Sequence, residues 1–120
     1  MSLTLKTAPE TEPVTAAEAK AHLRVTHSDD DTYIGTLITA ARLRVEKFLR
    51  RALITQTWEQ RADSFPDSDS DDMWILMPPL VSVTSVSYVD TDGDDQTWSS
   101  DEYTVDKYAH IPRIGKAEGQ

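Results

Sequence analysis

Between Asp30 and Arg50 the apolar residues Ile34, Leu37, Ile38, Ala41, Val45, Phe48 and Leu49 recur at spacings of three and four. That is the period of an α-helix, so the stretch predicts one long amphipathic helix with a continuous apolar stripe. Ser28-Asp29-Asp30-Asp31 sets capping oxygens and carboxylates at the positive end of the helix dipole, with Ser28 or Asp29 as the expected cap. Lys47, Arg50 and Arg51 set cations at the other end. A chain of 120 residues has room for one modest core, and the remaining segments have to be arranged around this stripe.

The flanking segments divide by period. Upstream, Thr15 and Glu18 have the spacing of a capping box, which predicts a short helix from Ala16 to Leu23 with Ala19, His22 and Leu23 toward the core. Residues 1–13, carrying Pro9 and Pro13, read as an extended arm. After Arg51 the period falls toward two. Strands are expected over Ile54–Ala62, Met73–Met77 and Val81–Val89, then near Gln96–Trp98, Tyr103–Asp106 and Ile111–Ile114. The alternation in Val81–Val89 slips phase between Val83 and Val86, which predicts a bulge or burial on both faces. Asp92-Gly93 predicts a tight hairpin.

The fold class expected is α+β: a helical pair over 15–51, then a small, mostly antiparallel sheet over 53–114, in one domain spanning 14–120. The residues after Ile114 show no strong closing strand or helix, so the chain is expected to lack a C-terminal part. With no cysteine, disulfides and thiolate metal sites are excluded. No apolar run approaches the roughly 18 residues that span a membrane. The first residues lack a signal-peptide core, and synthesis in the cytoplasm is expected.

Charge is unevenly distributed. The net charge is −9, and from Asp63 to Glu102 there are many carboxylates but no Lys or Arg. Arg42, Arg44, Lys47, Arg50 and Arg51 crowd into ten residues against the single Glu46. An acidic chain gains little from phosphate counterion release, which disfavours general nucleic-acid binding. One basic and one acidic surface can instead pair head to tail between copies, a contact that closes into rings when the rotation permits.

The candidate chemistry is thin. Counted from Asp90, the acidic hairpin has Asp95 where an EF-hand needs glycine and Asp101 where it needs glutamate, so that motif fails. Asp67, Asp69, Asp71 and Asp72 lack glycines that would fold them around a cation. His22, His27 and His110 do not have metal-site spacing, and His22 is expected to pack near the helix interface. There is no nucleophile elbow and no phosphate loop, so neither an enzyme nor a cofactor is expected. The helical pair has helix-turn-helix spacing, but Asp29-Asp30-Asp31 would meet the phosphates at the start of a recognition helix. A small DNA-binding regulator and an ion-binding β module are the alternative function classes. Trp98, beside the hairpin, is a candidate partner anchor.

Four blocks recur here in a fixed order: the capped helix Thr15–Leu23, the long helix Asp30–Arg50, the Arg51–Trp58 segment and the Pro79–Asp90 strand. In that order the chain resembles the head–tail connector (adaptor) proteins of long-tailed phages, prophages and gene-transfer agents. Many relatives have glycine at Arg50, so the helix exit here must use Arg50 itself or another stop. The resemblance implies a homo-oligomeric ring of roughly twelve subunits. Such a ring would sit at the head–tail junction of a phage-like particle, between the portal protein and a tail stopper or tail-terminator protein. It would line a channel through which DNA passes without sequence-specific binding. On that basis Arg42, Arg44, Lys47, Arg50, Arg51 and Trp98 are expected at a subunit or portal interface. Asp67, Asp69, Asp71, Asp72, Asp92, Asp94 and Asp95 are expected to face the lumen or a neighbour.

Overall fold

The computed structural model of the chain describes residues 1–65 and 72–117. Its elements run β1 (Ser2–Thr7), α1 (Ala16–Leu23), α2 (Asp31–Leu49), β2 (Thr57–Arg61), β3 (Met73–Trp74), β4 (Val86–Val89), β5 (Asp95–Trp98), β6 (Tyr103–Asp106) and β7 (Arg113–Lys116). The class is α+β, two helices followed by small antiparallel sheets. The contacts fall into two compact units, Thr4–Glu59 and Met1–Leu3 with the chain from Gln60 onward.

In the helical unit, the Thr15 hydroxyl accepts from the Glu18 N–H and the Glu18 carboxylate accepts from the Thr15 N–H, completing the expected capping box. Arg24 then ends α1 in the left-handed region, at φ 58°. The start of α2 differs from expectation. Its N-cap is Asp30, with no side-chain capping bond, instead of Ser28 or Asp29. Asp31 in the first turn is paired with Lys20 of α1 at 2.7 Å, so the acidic run joins the two helices as well as meeting the dipole. Ile34 is the buried hydrophobic residue here, while His22 and Leu23, expected inward, are exposed. The arm is ordered over Ser2–Thr7 as β1, which pairs with β2. Its alternation of Leu3 and Leu5 with Ser2, Thr4 and Lys6 is the period-two signal that the two prolines obscured.

In the second unit, β3, β7 and β6 form a three-stranded antiparallel sheet with β7 in the centre, around buried Ile114, Pro112 and Gly115. The strand expected over Ile111–Ile114 forms two residues later, at 113–116, and takes the central place. It begins after Pro112, because a proline cannot donate to a ladder. For the same reason β3 stays short: the Ile75 N–H donates to the Pro112 carbonyl, and no donor returns. A Cβ on Gly115 would lie 2.5 Å from an Asp72 oxygen, so the glycine gives Asp72 room to approach the sheet and accept from Arg113.

Strands β4 and β5 pair separately, from Val86↔Trp98 to Val89↔Asp95, across the expected turn with Gly93 at φ 91°. The long strand expected from Val81 is formed only from Val86. The four residues of β5 offer no partner beyond Trp98, and the phase slip between Val83 and Val86 marks where the ladder begins.

The exit from α2 resolves the question posed by the missing glycine: Arg50 itself adopts the left-handed conformation, φ 54° and ψ 40°, and its N–H bonds the Glu46 carbonyl. A side chain there costs about 1 kcal/mol relative to glycine. Arg50→Gly should therefore raise the urea-unfolding free energy by roughly 0.5 kcal/mol, after allowing for the lost cation at the helix end. An unchanged or lowered midpoint would show that the side chain contributes more than the strain removes.

Candidate assembly surface

The inward face of α2 beyond its first turns is ionic. Arg42 and Glu46, one turn apart, are 8% and 2% exposed. Arg42 Nε donates to Glu12 Oε2 at 2.6 Å, and its Nη1 donates to Glu46 Oε2 at 3.2 Å. Glu12 Oε1 accepts from the Thr39 hydroxyl at 3.0 Å. Glu46 Oε1 accepts from the Leu53 N–H at 3.1 Å and from Gln56 Nε2 at 2.9 Å. A buried carboxylate is tolerated when its lone pairs are met by donors in this way. Sequence reasoning missed this network, because Arg42 was grouped with the neighbouring cations of a basic surface.

The apolar stripe consequently turns outward. Of its residues only Ile34 is buried; Leu37, Val45 and Leu49 are each more than two-fifths exposed, and Phe48 is 86% exposed. Tyr33, Leu37, Ala41 and Val45, spaced by four, continue through Phe48 into one open ridge about 22 Å long. Arg44 and Lys47 are exposed along it, and Arg50 is exposed at its end, while Arg51 is half-buried. Arg42, grouped with these cations in the sequence, is taken up inside the chain.

On the hairpin, alternation sorts the side chains by face. Tyr88 and Trp98 belong to one face: Phe65 meets both edge-on at 5.7 Å, and Tyr103 tilts against Trp98 at 5.3 Å. Trp98 is thus half-buried in an intramolecular cluster. The other face carries Ser87, Val89, Asp95 and Thr97, with Val89 64% exposed opposite Asp95. The tip is closed by Asp90, whose carboxylate accepts from the N–H groups of Asp92 and Asp94 and from Gln96 Nε2, each at 2.9 Å. These bonds, that from Asp94 foremost, hold the Asp90 carboxyl below the usual range. Asp92, Asp94 and Asp95 are exposed around it.

Asp72 is half-buried against Arg113, and Asp67, Asp69 and Asp71 lie outside the described residues. His22, His27 and His110 are all exposed. Among the described residues no three His, Asp or Glu side chains gather as a metal site would require, and no helix is long and apolar enough to cross a membrane. Among the described residues, the α2 ridge and the outer face of the hairpin each combine exposed apolar side chains with charge.

Residues 14–106 match the family model of the phage gp6-like head-tail connector proteins. The chain belongs to this family. The match takes in both helices and strands β2 to β6. No curated protein and no solved structure matches the chain. Membership makes it a phage structural protein of the head–tail junction class, and it directs attention to surfaces where other head and tail proteins would bind.

Two outcomes follow from the buried network. Arg42→Ala removes the cation that buried Glu46 and Glu12 share and should cost about 3 kcal/mol. Arg44→Ala, two residues on and exposed, should stay within about 0.5 kcal/mol. Equal losses in urea unfolding would contradict the assignment of Arg42 to the interior. The hydrogen bond from Arg42 lowers the Glu12 carboxyl below its usual range; Thr39 and the Arg42 charge assist, and burial opposes. A carboxyl lowered by folding lends stability that is present above its unfolded value and lost as pH falls through its folded value. The urea midpoint should therefore fall from about pH 4.5 downward. Glu12→Gln should lower the neutral-pH midpoint and flatten this acid limb, so that the two curves converge.

Proposed function

We propose that the chain is a structural connector subunit, without catalysis, that forms a ring between the portal and the tail stopper and lines the DNA channel of a phage-like particle. The observation that carries this reading is the family match over 14–106, and the open apolar ridge of α2 supports it. A side-chain row of that length on a soluble subunit calls for a partner surface. The charge map agrees. A basic channel wall would hold phosphate by counterion release, whereas an acidic wall lets DNA pass. Part of the acidic surface between Asp63 and Glu102 is assigned to the lumen or a neighbouring subunit, and Arg44, Lys47, Arg50 and Arg51 to a subunit or portal contact. A ring of roughly twelve copies is the expected assembly.

Electron microscopy of particles from a strain lacking the gene, with a complemented control, tests the role. DNA-filled or leaking heads beside unattached tails are expected. Normal tailed particles would reject it.

A further inference from the structure

The two patches are complementary to each other and not to themselves. Burial of Glu46 removes the one carboxylate between residues 42 and 51, so the α2 ridge is apolar with an unopposed cationic flank of Arg44 and Lys47. The outer face of the hairpin sets exposed Val89 beside Asp95, with Asp92 and Asp94 at the tip, in a stretch with no Lys or Arg. Ridge against ridge would oppose cations to cations, and hairpin against hairpin would oppose carboxylates. Like-charge juxtaposition suppresses both pairings, whereas the mixed pairing covers apolar surface on each side and matches the charges.

We propose that the α2 ridge of one subunit receives the outer face of the β4–β5 hairpin of a second copy, with Phe48 and Val45 packing on Val89, and Arg44 and Lys47 facing Asp94 and Asp95. This rests on the ring reading above and names the two surfaces that meet. Because they are different patches of the same chain, the contact is heterologous and repeats from copy to copy. Exposed ion pairs supply register and partner choice; the apolar contact supplies most of the attraction.

The chain has no cysteine, so two introduced thiols report the contact without background. Ala41→Cys and Ser87→Cys change exposed side chains on the same two faces and leave Val45, Phe48 and Val89 in place, so both the fold and the contact should survive. The double variant, treated with a short bis-maleimide at high protein concentration and again in purified particles, should give a ladder of covalent multimers. A mixture of the two single variants should stop at a heterodimer, and each single variant alone should stay monomeric. Linking by Ala41→Cys alone would mean that like faces meet, and would overturn the proposal. Absence of a ladder in both preparations would overturn it too. Arg44→Glu with Lys47→Glu should reduce the ladder roughly tenfold, and adding Asp94→Lys with Asp95→Lys should restore it. An undiminished ladder in the first of these variants would refute the charge pairing. Whether the protein is present in particles is read separately by mass spectrometry and bears on the connector role alone.

Discussion

The pairing of Arg42 with Glu46 inside the helical unit is the constraint on which the rest depends. Moving two charges out of water costs several kcal/mol per ion unless every lone pair and N–H is met. Here the partners come from distant parts of the chain: Glu12 from the arm, Thr39 from the same helix, Leu53 and Gln56 from the segment after it. Either all of these segments are in place or the ions are exposed to a large penalty. The network therefore sets the path of the chain into and out of α2, including the left-handed exit at Arg50, whose N–H bonds the carbonyl of Glu46 itself.

Its second effect is on the surface. A helix has one inward side, and once that side is ionic the apolar stripe must lie elsewhere. In an isolated globule this would be an unfavourable choice; in the proposed ring the same ridge would be a contact surface ready-made. Function in such a protein resides in faces, and neither a catalytic cluster nor a cofactor cradle is needed to account for the residues on them.

Much of the fold was legible in the sequence. The capping box at Thr15–Glu18, the period of α2, the Asp92-Gly93 turn and the strand at Tyr103–Asp106 are local signals, and local chemistry decides them. The side of α2 that faces inward is not local. Periodicity finds an apolar stripe but cannot report what covers it, and the donors that draw Glu46 inward lie seven and ten residues further on. The same holds for Val81–Val89: the run has strand composition, yet a strand extends only as far as its partner, and β5 ends at Trp98. Trp98, which looked like an anchor from its place beside the hairpin, is drawn against Phe65, more than thirty residues earlier in the chain, and against nearby Tyr103.

The way the hairpin tip is closed has a consequence for how it would meet anything. Asp90 already occupies its acceptors with the N–H groups of Asp92 and Asp94 and the amide of Gln96, so the loop is rigid before contact. Immobilising a loose loop on association carries an entropic penalty, and a preformed one largely escapes it. A joint built with such a tip would bring its geometry to the partner already set, so that docking would select a matching surface instead of moulding the loop to it.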